Sequence, residues 1–173
     1  ISDTIHSMGL KLLAEFLALG GLPEVISAWC EKKNAKECFL IHNTLLDTYR
    51  GDFQKYAKKN QVFYLDLLFD QVPRQMGKAF KFSAVPGEFR KRELAPALNL
   101  LNLAGVMHEI HRSAGNGVPI GAEASLEHFK TIFLDVGLGQ ALLGYDLATW
   151  FLKPEKEWVN KGPLVEAFVG QEF

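Results

Sequence analysis

Basic side chains concentrate in residues 71–92, where six Lys and Arg residues stand against a single acid, Glu88. This segment has a local net charge of +5, although the whole chain has a net charge of -1. Lys and Arg bind phosphate oxygens through charge-assisted hydrogen bonds, so the segment could contact a nucleic-acid backbone. A solvated surface, or contact with an acidic neighbouring domain, is the alternative. Arg112 and Lys130, at the base of a predicted hairpin, could add to this contact. The candidate phosphate-binding residues are therefore Arg74, Lys78, Lys81, Arg90, Lys91, Arg92, Arg112 and Lys130.

The helix predicted over residues 94–104 has little capacity to read a base sequence. Its side chains are mostly Leu and Ala, and only Asn99 and Asn102 could form hydrogen bonds to base edges. Contact with phosphates, which does not depend on base sequence, is therefore favoured over sequence-specific binding.

Residue types suited to catalysis are present but scattered. His108 and His111 are three residues apart in a predicted strand, so they point to opposite faces and do not favour a shared metal ion. The chain has no Gly-x-x-x-x-Gly-Lys-Ser/Thr loop for ATP phosphates and no Gly-x-Ser-x-Gly turn for a nucleophile. We therefore expect no enzyme activity from this chain.

Length and composition indicate a globular protein with a hydrophobic core. The 173 residues are 48% hydrophobic, enough for one compact domain or two small ones. Cys30 and Cys38 form no disulfide or zinc pattern, which favours a reducing compartment, and we expect the cytoplasm. Charged residues interrupt the apolar runs before about 18 residues, the length at which a membrane span becomes plausible. We expect no membrane association.

Residues 1–60 are predicted as a helical segment with a tight corner. Helical spacing of apolar residues runs to Leu19, and Gly20-Gly21-Leu22-Pro23 then permits a sharp turn in which Pro23 begins the next helix. Asn34, with Glu37 three residues later, has the pattern of a capping box before a helix over residues 35–58.

Residues 61–150 are predicted as a winged-helix-like domain. The predicted elements, in order, are a helix from Val62 to Pro73, a helix over residues 94–104, and strands over residues 106–112 and 130–134. The long loop between the strands carries an Asn116-Gly117 turn signal. In such a domain the hairpin is the wing, and the helix before it takes the recognition position. Asp135 then caps a short helix.

The chain ends in a predicted amphipathic helix that starts at Gly162. Val165, Phe168 and Val169 give it an apolar stripe for which the remaining sequence offers no partner. The first residues lack an initiator Met and run straight into a helical pattern. We therefore expect a fragment of a larger protein.

Several short motifs, taken in order, resemble a known group of proteins. The matching pieces are Gly20-Gly21-Leu22-Pro23-Glu24-Val25, Tyr49-Arg50-Gly51-Asp52 with Tyr56, Lys81-Phe82-Ser83, residues 98–106, residues 130–138 with Asp135-Val136-Gly137-Leu138, and residues 162–172. This ordered set resembles the C-terminal region that follows the ATPase module in predicted AAA-type ATP-binding proteins of bacteria and archaea. The resemblance spans essentially the whole chain.

The resemblance implies a mainly α architecture. A helical bundle over residues 1–60 would precede a winged-helix-like domain with a β-hairpin wing over residues 61–150. Residues 151–173 would be a linker and the first helix of a truncated restriction-endonuclease-like domain. ATP and Mg²⁺ are implied only for the missing ATPase module, so no cofactor is expected in this chain.

Glu166 matches the first acidic position of the nuclease-like fold, where a carboxylate helps to hold a divalent metal ion. Further carboxylates, and usually a lysine, are needed around the same ion, and these would lie downstream of Phe173. The alternative is a glutamate in the first part of a helix, where the helix dipole favours a negative charge.

Two functions follow from these patterns. The first is a non-catalytic accessory region of an AAA-type ATPase, which couples the ATPase module to a partner in the same polypeptide or in another protein. The alternative is a winged-helix module that binds nucleic acid largely through phosphate contacts.

Overall fold

The computed structural model describes residues 2–145, 147 and 162–173. This part of the chain is mainly helical with a two-stranded antiparallel sheet, as the sequence predicts. The helices are α1 (Asp3–Leu19), α2 (Pro23–Lys32), α3 (Ala35–Tyr56), α4 (Lys59–Gln71), α5 (Lys91–Leu103), α6 (Val136–Leu142) and α7 (Gly162–Glu172). The strands are β1 (Met107–Ser113) and β2 (Ala124–Phe133). Of the helices in this part, none is both long and apolar enough to cross a membrane.

The chain divides into two compact units. Unit 1 comprises Ile1–Asp52 and Asp135–Phe173, and unit 2 comprises Phe53–Leu134. Helix α3 continues from the first unit into the second. The predicted boundaries near residues 60 and 150 stay predictions, and residues 151–161 of the predicted linker lie outside the described residues.

The corner and the cap predicted in unit 1 are confirmed. Gly20 has φ +76°, a conformation that glycine adopts without steric cost, and Pro23 is the first residue of α2. The side-chain oxygen of Asn34 accepts hydrogen bonds from the amides of Lys36 and Glu37, at 3.0 and 3.4 Å. The Glu37 carboxylate pairs with the Lys32 ammonium instead of returning to Asn34.

The prediction that the stripe of α7 lacks a partner is wrong in part. Leu164 and Ala167 are buried, and the Phe168 ring meets the Phe16 ring of α1 edge-on, with centroids 5.2 Å apart. Val165 and Val169 remain exposed, so only part of the predicted stripe lies open. The burial of α7 depends on α1 and α6, which are distant in sequence and therefore invisible to a local pattern.

Unit 2 is built on α4, α5 and the β1–β2 hairpin. Pro73 opens a 3₁₀ turn (Pro73–Gln75) directly after α4, because proline cannot supply the amide that the helix needs to continue. The Phe69 ring lies against Phe53 and Phe133, with centroids 5.3 and 5.4 Å apart. The fully buried large side chains of this unit are Leu68, Phe69, Leu94, Leu98, Leu101, Met107 and Phe133.

The second strand is longer than the sequence predicts. It begins at Ala124 rather than at residue 130, and the pairing runs from Met107 opposite Phe133 to Ser113 opposite Ala124, with an irregularity between His111 and Ser113. Residues 124–128 show no alternation of buried and exposed side chains, so the period-two signal of a half-buried strand is missing there. Of these five residues only Ala124 is paired with a residue of β1, Ser113, so this part of β2 is irregular.

Candidate functional site

The basic residues singled out by the sequence all belong to unit 2 and lie at the surface. Lys130 is half-buried, and the other members of the set are exposed. We use the name cation cluster for the six members from residues 71–92: Arg74, Lys78, Lys81, Arg90, Lys91 and Arg92. Within the described part of the chain, no carboxylate lies within ion-pair distance of any residue of the cation cluster.

A buried glutamine fixes the loop that carries Lys81. The Gln75 side-chain oxygen accepts a hydrogen bond from the Lys81 amide at 2.8 Å, and its amide group donates to the Lys81 carbonyl at 3.2 Å. Gln75 is only 9% exposed, so both polar ends of its side chain need such partners. The backbone at Lys81 is therefore held in place while its side chain extends into solvent.

An aromatic group places this loop against the hairpin. The Phe80 ring stacks on Phe129 at a centroid distance of 5.6 Å, and the Phe80 amide donates to the Phe129 carbonyl at 2.9 Å. Ala79 forms an antiparallel bridge with Lys130. Phe82 meets Phe80 edge-on, and the Lys91 ammonium lies over the Phe82 ring at 5.8 Å. Contacts around these rings thus link the loop, β2 and the start of α5.

Three cations stand in sequence where α5 begins. Arg90 is the N-cap residue, and Lys91 and Arg92 are the first two helical residues. Positive charge at a helix N-terminus is unfavourable because the helix dipole is positive there. The single acid of this turn, Glu93, uses its carboxylate to accept from the Arg90 amide at 2.7 Å. The single negative charge of Glu93 therefore offsets only part of the positive charge of Arg90, Lys91 and Arg92.

The exposed side of α5 is poor in polar groups. Leu94, Ala97, Leu98 and Leu101 are buried, while Pro96, Asn99 and Leu103 are exposed. Of the two asparagines that the sequence offers for reading bases, Asn99 is exposed and Asn102 is half-buried. The surface of α5 beyond its first turn thus offers few hydrogen bonds to a base edge.

Sequence reasoning missed the apolar end of the hairpin. We use the name hairpin tip for residues 114–128, which carry the acids Glu123 and Glu127 and no Lys or Arg. Val118 is 96% exposed, Ile120 63% and Leu126 81%. The sequence does contain a signal for this exposure. Large aliphatic residues interrupt a loop rich in Gly and Ala, whereas turns and loops favour Gly, Pro, Asn, Asp and Ser.

The histidines of β1 point to opposite faces, as predicted. His108 is exposed, whereas His111 is half-buried. The His111 Nδ1–H donates to the Ser125 carbonyl at 2.9 Å, and Nε2 lies 3.3 Å from the Glu109 carboxylate. Among the described residues, no group of three His, Cys, Asp or Glu side chains could hold a metal ion. Glu166 lies on the exposed side of α7.

Two of the short motifs meet inside unit 1. Asp135 caps α6 by accepting a hydrogen bond from the Leu138 amide at 2.7 Å through Oδ1. Its other oxygen, Oδ2, accepts from the Gly21 amide at 2.7 Å. A side chain on Gly137 would reach 2.3 Å from the backbone carbon of Leu19, so glycine is needed for this approach. We call this contact between the two motifs the corner joint.

His42 of α3 completes the corner joint. Its ring is fully buried, and Nε2–H donates to the Leu19 carbonyl at 2.9 Å, because a carbonyl can only accept. The Nδ1 atom is then an unprotonated acceptor, and it has no partner among the described residues. Gln140 donates from its side-chain amide to the Leu17 carbonyl, so the carbonyls at the end of α1 receive side-chain hydrogen bonds from two other helices.

We expect His42 to make unit 1 sensitive to acid. Burial lowers the pKa of His42, and the hydrogen bond to Leu19 and the negative charge of Asp135 oppose this effect only in part. Below about pH 6.5 the unfolded chain binds a proton that the folded chain excludes, so the free energy of unfolding falls, by at most about 1.4 kcal/mol per pH unit. Urea titrations followed by circular dichroism at several pH values between about 7.5 and 5.5 measure this slope.

His42→Gln keeps a side-chain donor for the Leu19 carbonyl but removes the titrating group. This variant should therefore show a shallower fall in unfolding free energy over the same pH range. An unchanged pH slope in His42→Gln would contradict the assignment.

A family model described as a domain of unknown function (DUF8612) matches residues 10–149 of the chain. The chain belongs to this family. No curated protein and no solved structure gives a match.

The DUF8612 match contains the features described above. The cation cluster, the hairpin tip and every residue of the corner joint fall within its limits, whereas α7 with Glu166 lies outside them. The family description states no activity, and it does not link DUF8612 to AAA-type ATPases.

Proposed function

We propose that this chain is a non-catalytic interaction region that couples an ATPase module to a partner, in the same polypeptide or in another protein. The observation that carries the proposal is the hairpin tip, which presents exposed aliphatic side chains and two acids on the surface of unit 2. The tie to an ATP-binding protein rests on the resemblance of the ordered motifs.

The aliphatic side chains of the hairpin tip favour contact with another surface. Scattered exposed apolar residues are normal, but Val118, Ile120 and Leu126 lie within nine consecutive residues of one hairpin. Full burial of a Val, Leu or Ile side chain contributes about 1.5–3 kcal/mol. A partner with an apolar surface could therefore gain substantial affinity from these three side chains.

The order of elements in unit 2 supports a winged-helix-like architecture. Helix α4, the bridge at Ala79, the 3₁₀ turn Phe82–Ala84, helix α5 and the hairpin follow one another as helix, short strand, turn, helix and wing. In this architecture the hairpin tip is the end of the wing. An apolar, acidic wing is suited to a protein surface and unsuited to the negative backbone of a nucleic acid.

Three buried polar side chains of unit 1 hold its fold. Asp135 bonds two backbone amides, and His42 and Gln140 bond the carbonyls of Leu19 and Leu17. These roles favour a structural function for the most strongly buried titratable side chains over a catalytic one.

Replacement of Leu126 by glutamine should weaken the association. The purified chain is titrated with a separately purified ATPase module of the type that the resemblance implies, and the affinity is measured by calorimetry. Because Leu126 is 81% exposed, the fold should be retained, whereas the loss of its apolar contact should lower the affinity at least about 10-fold.

Leu40→Gln on α3 is the matched control, since Leu40 is an exposed leucine of unit 1 at 57% exposure. Its affinity should equal that of the unmodified chain. No association between the chain and the ATPase module, or equal affinities for the Leu126 and Leu40 variants, would overturn the proposal.

A further inference from the structure

We infer that unit 2 has a second binding surface, the cation cluster, and that this surface binds the phosphate backbone of a nucleic-acid duplex. The hairpin tip takes no part in this contact, because its only charged residues are Glu123 and Glu127. The inference is therefore independent of the protein partner proposed above.

The charge of the cation cluster is not neutralised within the described residues. Each of its six side chains is exposed, and no carboxylate of the described chain pairs with any of them. Elsewhere on the surface such pairs do form: Lys32 meets Glu37 at 2.7 Å and Lys33 meets Glu15 at 3.3 Å. An external polyanion is thus the complement that this surface lacks.

Contacts within the fold position two of the cations. Gln75 fixes the backbone of Lys81, and the Lys91 ammonium lies over the Phe82 ring at 5.8 Å. Phe80 and Phe129 attach the same loop to β2, next to Lys130. A ligand that contacts all of these cations must carry negative charges at several separate points. A polyanion meets this requirement better than a single small anion does.

The start of α5 favours phosphate in particular. The amides of Lys91 and Arg92 have no acceptor among the described residues, and the adjacent Arg guanidinium groups have the geometry to bind two phosphate oxygens at once. Positive charge at this helix end is unfavourable in the free chain, so a bound phosphate would relieve repulsion with the helix dipole.

Binding should depend strongly on salt and weakly on base sequence. If each of the six cations neutralises one phosphate, the logarithm of affinity falls with the logarithm of salt with a slope of about −5, and affinity drops about 10³-fold between about 50 and 200 mM salt. The exposed side of α5 offers Asn99 as its main group for base edges, so two unrelated duplexes should bind with similar affinity.

Fluorescence anisotropy with a labelled duplex DNA of about 20 base pairs measures these quantities, using the full chain over a series of salt concentrations. The test variant combines Arg90→Gln, Lys91→Gln and Arg92→Gln, which remove unfavourable charge from the start of α5 and should leave the helix intact. Its salt slope should be smaller in magnitude by about 3 than that of the unmodified chain.

The control combines Lys32→Gln, Lys33→Gln and Lys36→Gln, which change the net charge by the same amount but lie in unit 1. This control, and Leu126→Gln, should retain the salt slope of the unmodified chain. The inference is overturned by no binding at about 50 mM salt or by equal losses in the two triple variants. It is also overturned if poly-L-glutamate competes as well as unlabelled DNA, which would assign the surface to an acidic protein.

Discussion

We expect Asp135→Ala to lower the free energy of unfolding by about 3 kcal/mol. The carboxylate is only 2% exposed and accepts from the amides of Leu138 and Gly21, both at 2.7 Å. Alanine leaves the buried Leu138 amide without an acceptor, which costs about 1–3 kcal/mol, and removes the N-cap of α6 together with the bond to Gly21. Urea unfolding followed by far-UV circular dichroism measures the loss.

Two further variants define the cause. Asp135→Asn keeps one acceptor oxygen but turns its NH₂ group toward the second amide, so its loss should lie between those of alanine and the unmodified chain. Asp3→Ala removes an exposed acid from the first turn of α1 and should cost less than about 0.5 kcal/mol. If Asp135→Ala costs no more than Asp3→Ala, the corner joint does not stabilise unit 1.

Gly137→Ala should destabilise unit 1 by about 3 kcal/mol or more. The added methyl group would lie 2.3 Å from the Leu19 carbonyl carbon and 2.4 Å from the Gly20 nitrogen. Both atoms belong to the backbone, so the clash cannot be relieved by rotation of a side chain, and α6 must move away from the end of α1. The thermal midpoint and the urea midpoint should both fall.

The matched control for this substitution is Gly51→Ala in α3, where the added methyl group meets nothing within 4 Å. Alanine is favoured over glycine inside a helix by about 1 kcal/mol, so Gly51→Ala should raise the stability. The same chemical change is thus expected to act with opposite signs at the two positions. A stable Gly137→Ala protein would show that the close approach of α6 to α1 is not needed.

Local chemistry explains which parts of the fold the sequence predicts. The corner at Gly20, the start of α2 at Pro23, the Asn34 cap and the Asp135 cap each depend on residues within a few positions, and all are confirmed. Strand β2 and helix α7 are less well predicted, because local sequence does not determine them. Residues 124–128 of β2 have no hydrophobic pattern, and among them only Ala124 is paired with β1, whereas α7 is buried by helices that are remote in sequence.

For the candidate surfaces too, residue types can be predicted from the sequence, whereas contacts between distant residues cannot. The sequence locates the charges of the cation cluster, since Lys and Arg are identified by type and spacing alone. It does not predict that Gln75 fixes Lys81 or that Lys91 lies over Phe82, because these contacts depend on how the loop folds back on itself. The exposure of Val118 and Leu126 is likewise a property of the folded hairpin, since aliphatic side chains more often indicate a core.

The discontinuity of unit 1 determines the order in which the chain can fold as it is synthesised. Gly21 and Asp135 are separated by 114 positions, and Gln140 bonds a carbonyl 123 positions earlier. Helices α1 to α3 therefore leave the ribosome long before the residues that complete their polar contacts, whereas all of unit 2 is made in one continuous stretch. Unit 2 can therefore fold first. The Gly21 amide remains hydrated until Asp135 has been synthesised and can accept its hydrogen bond.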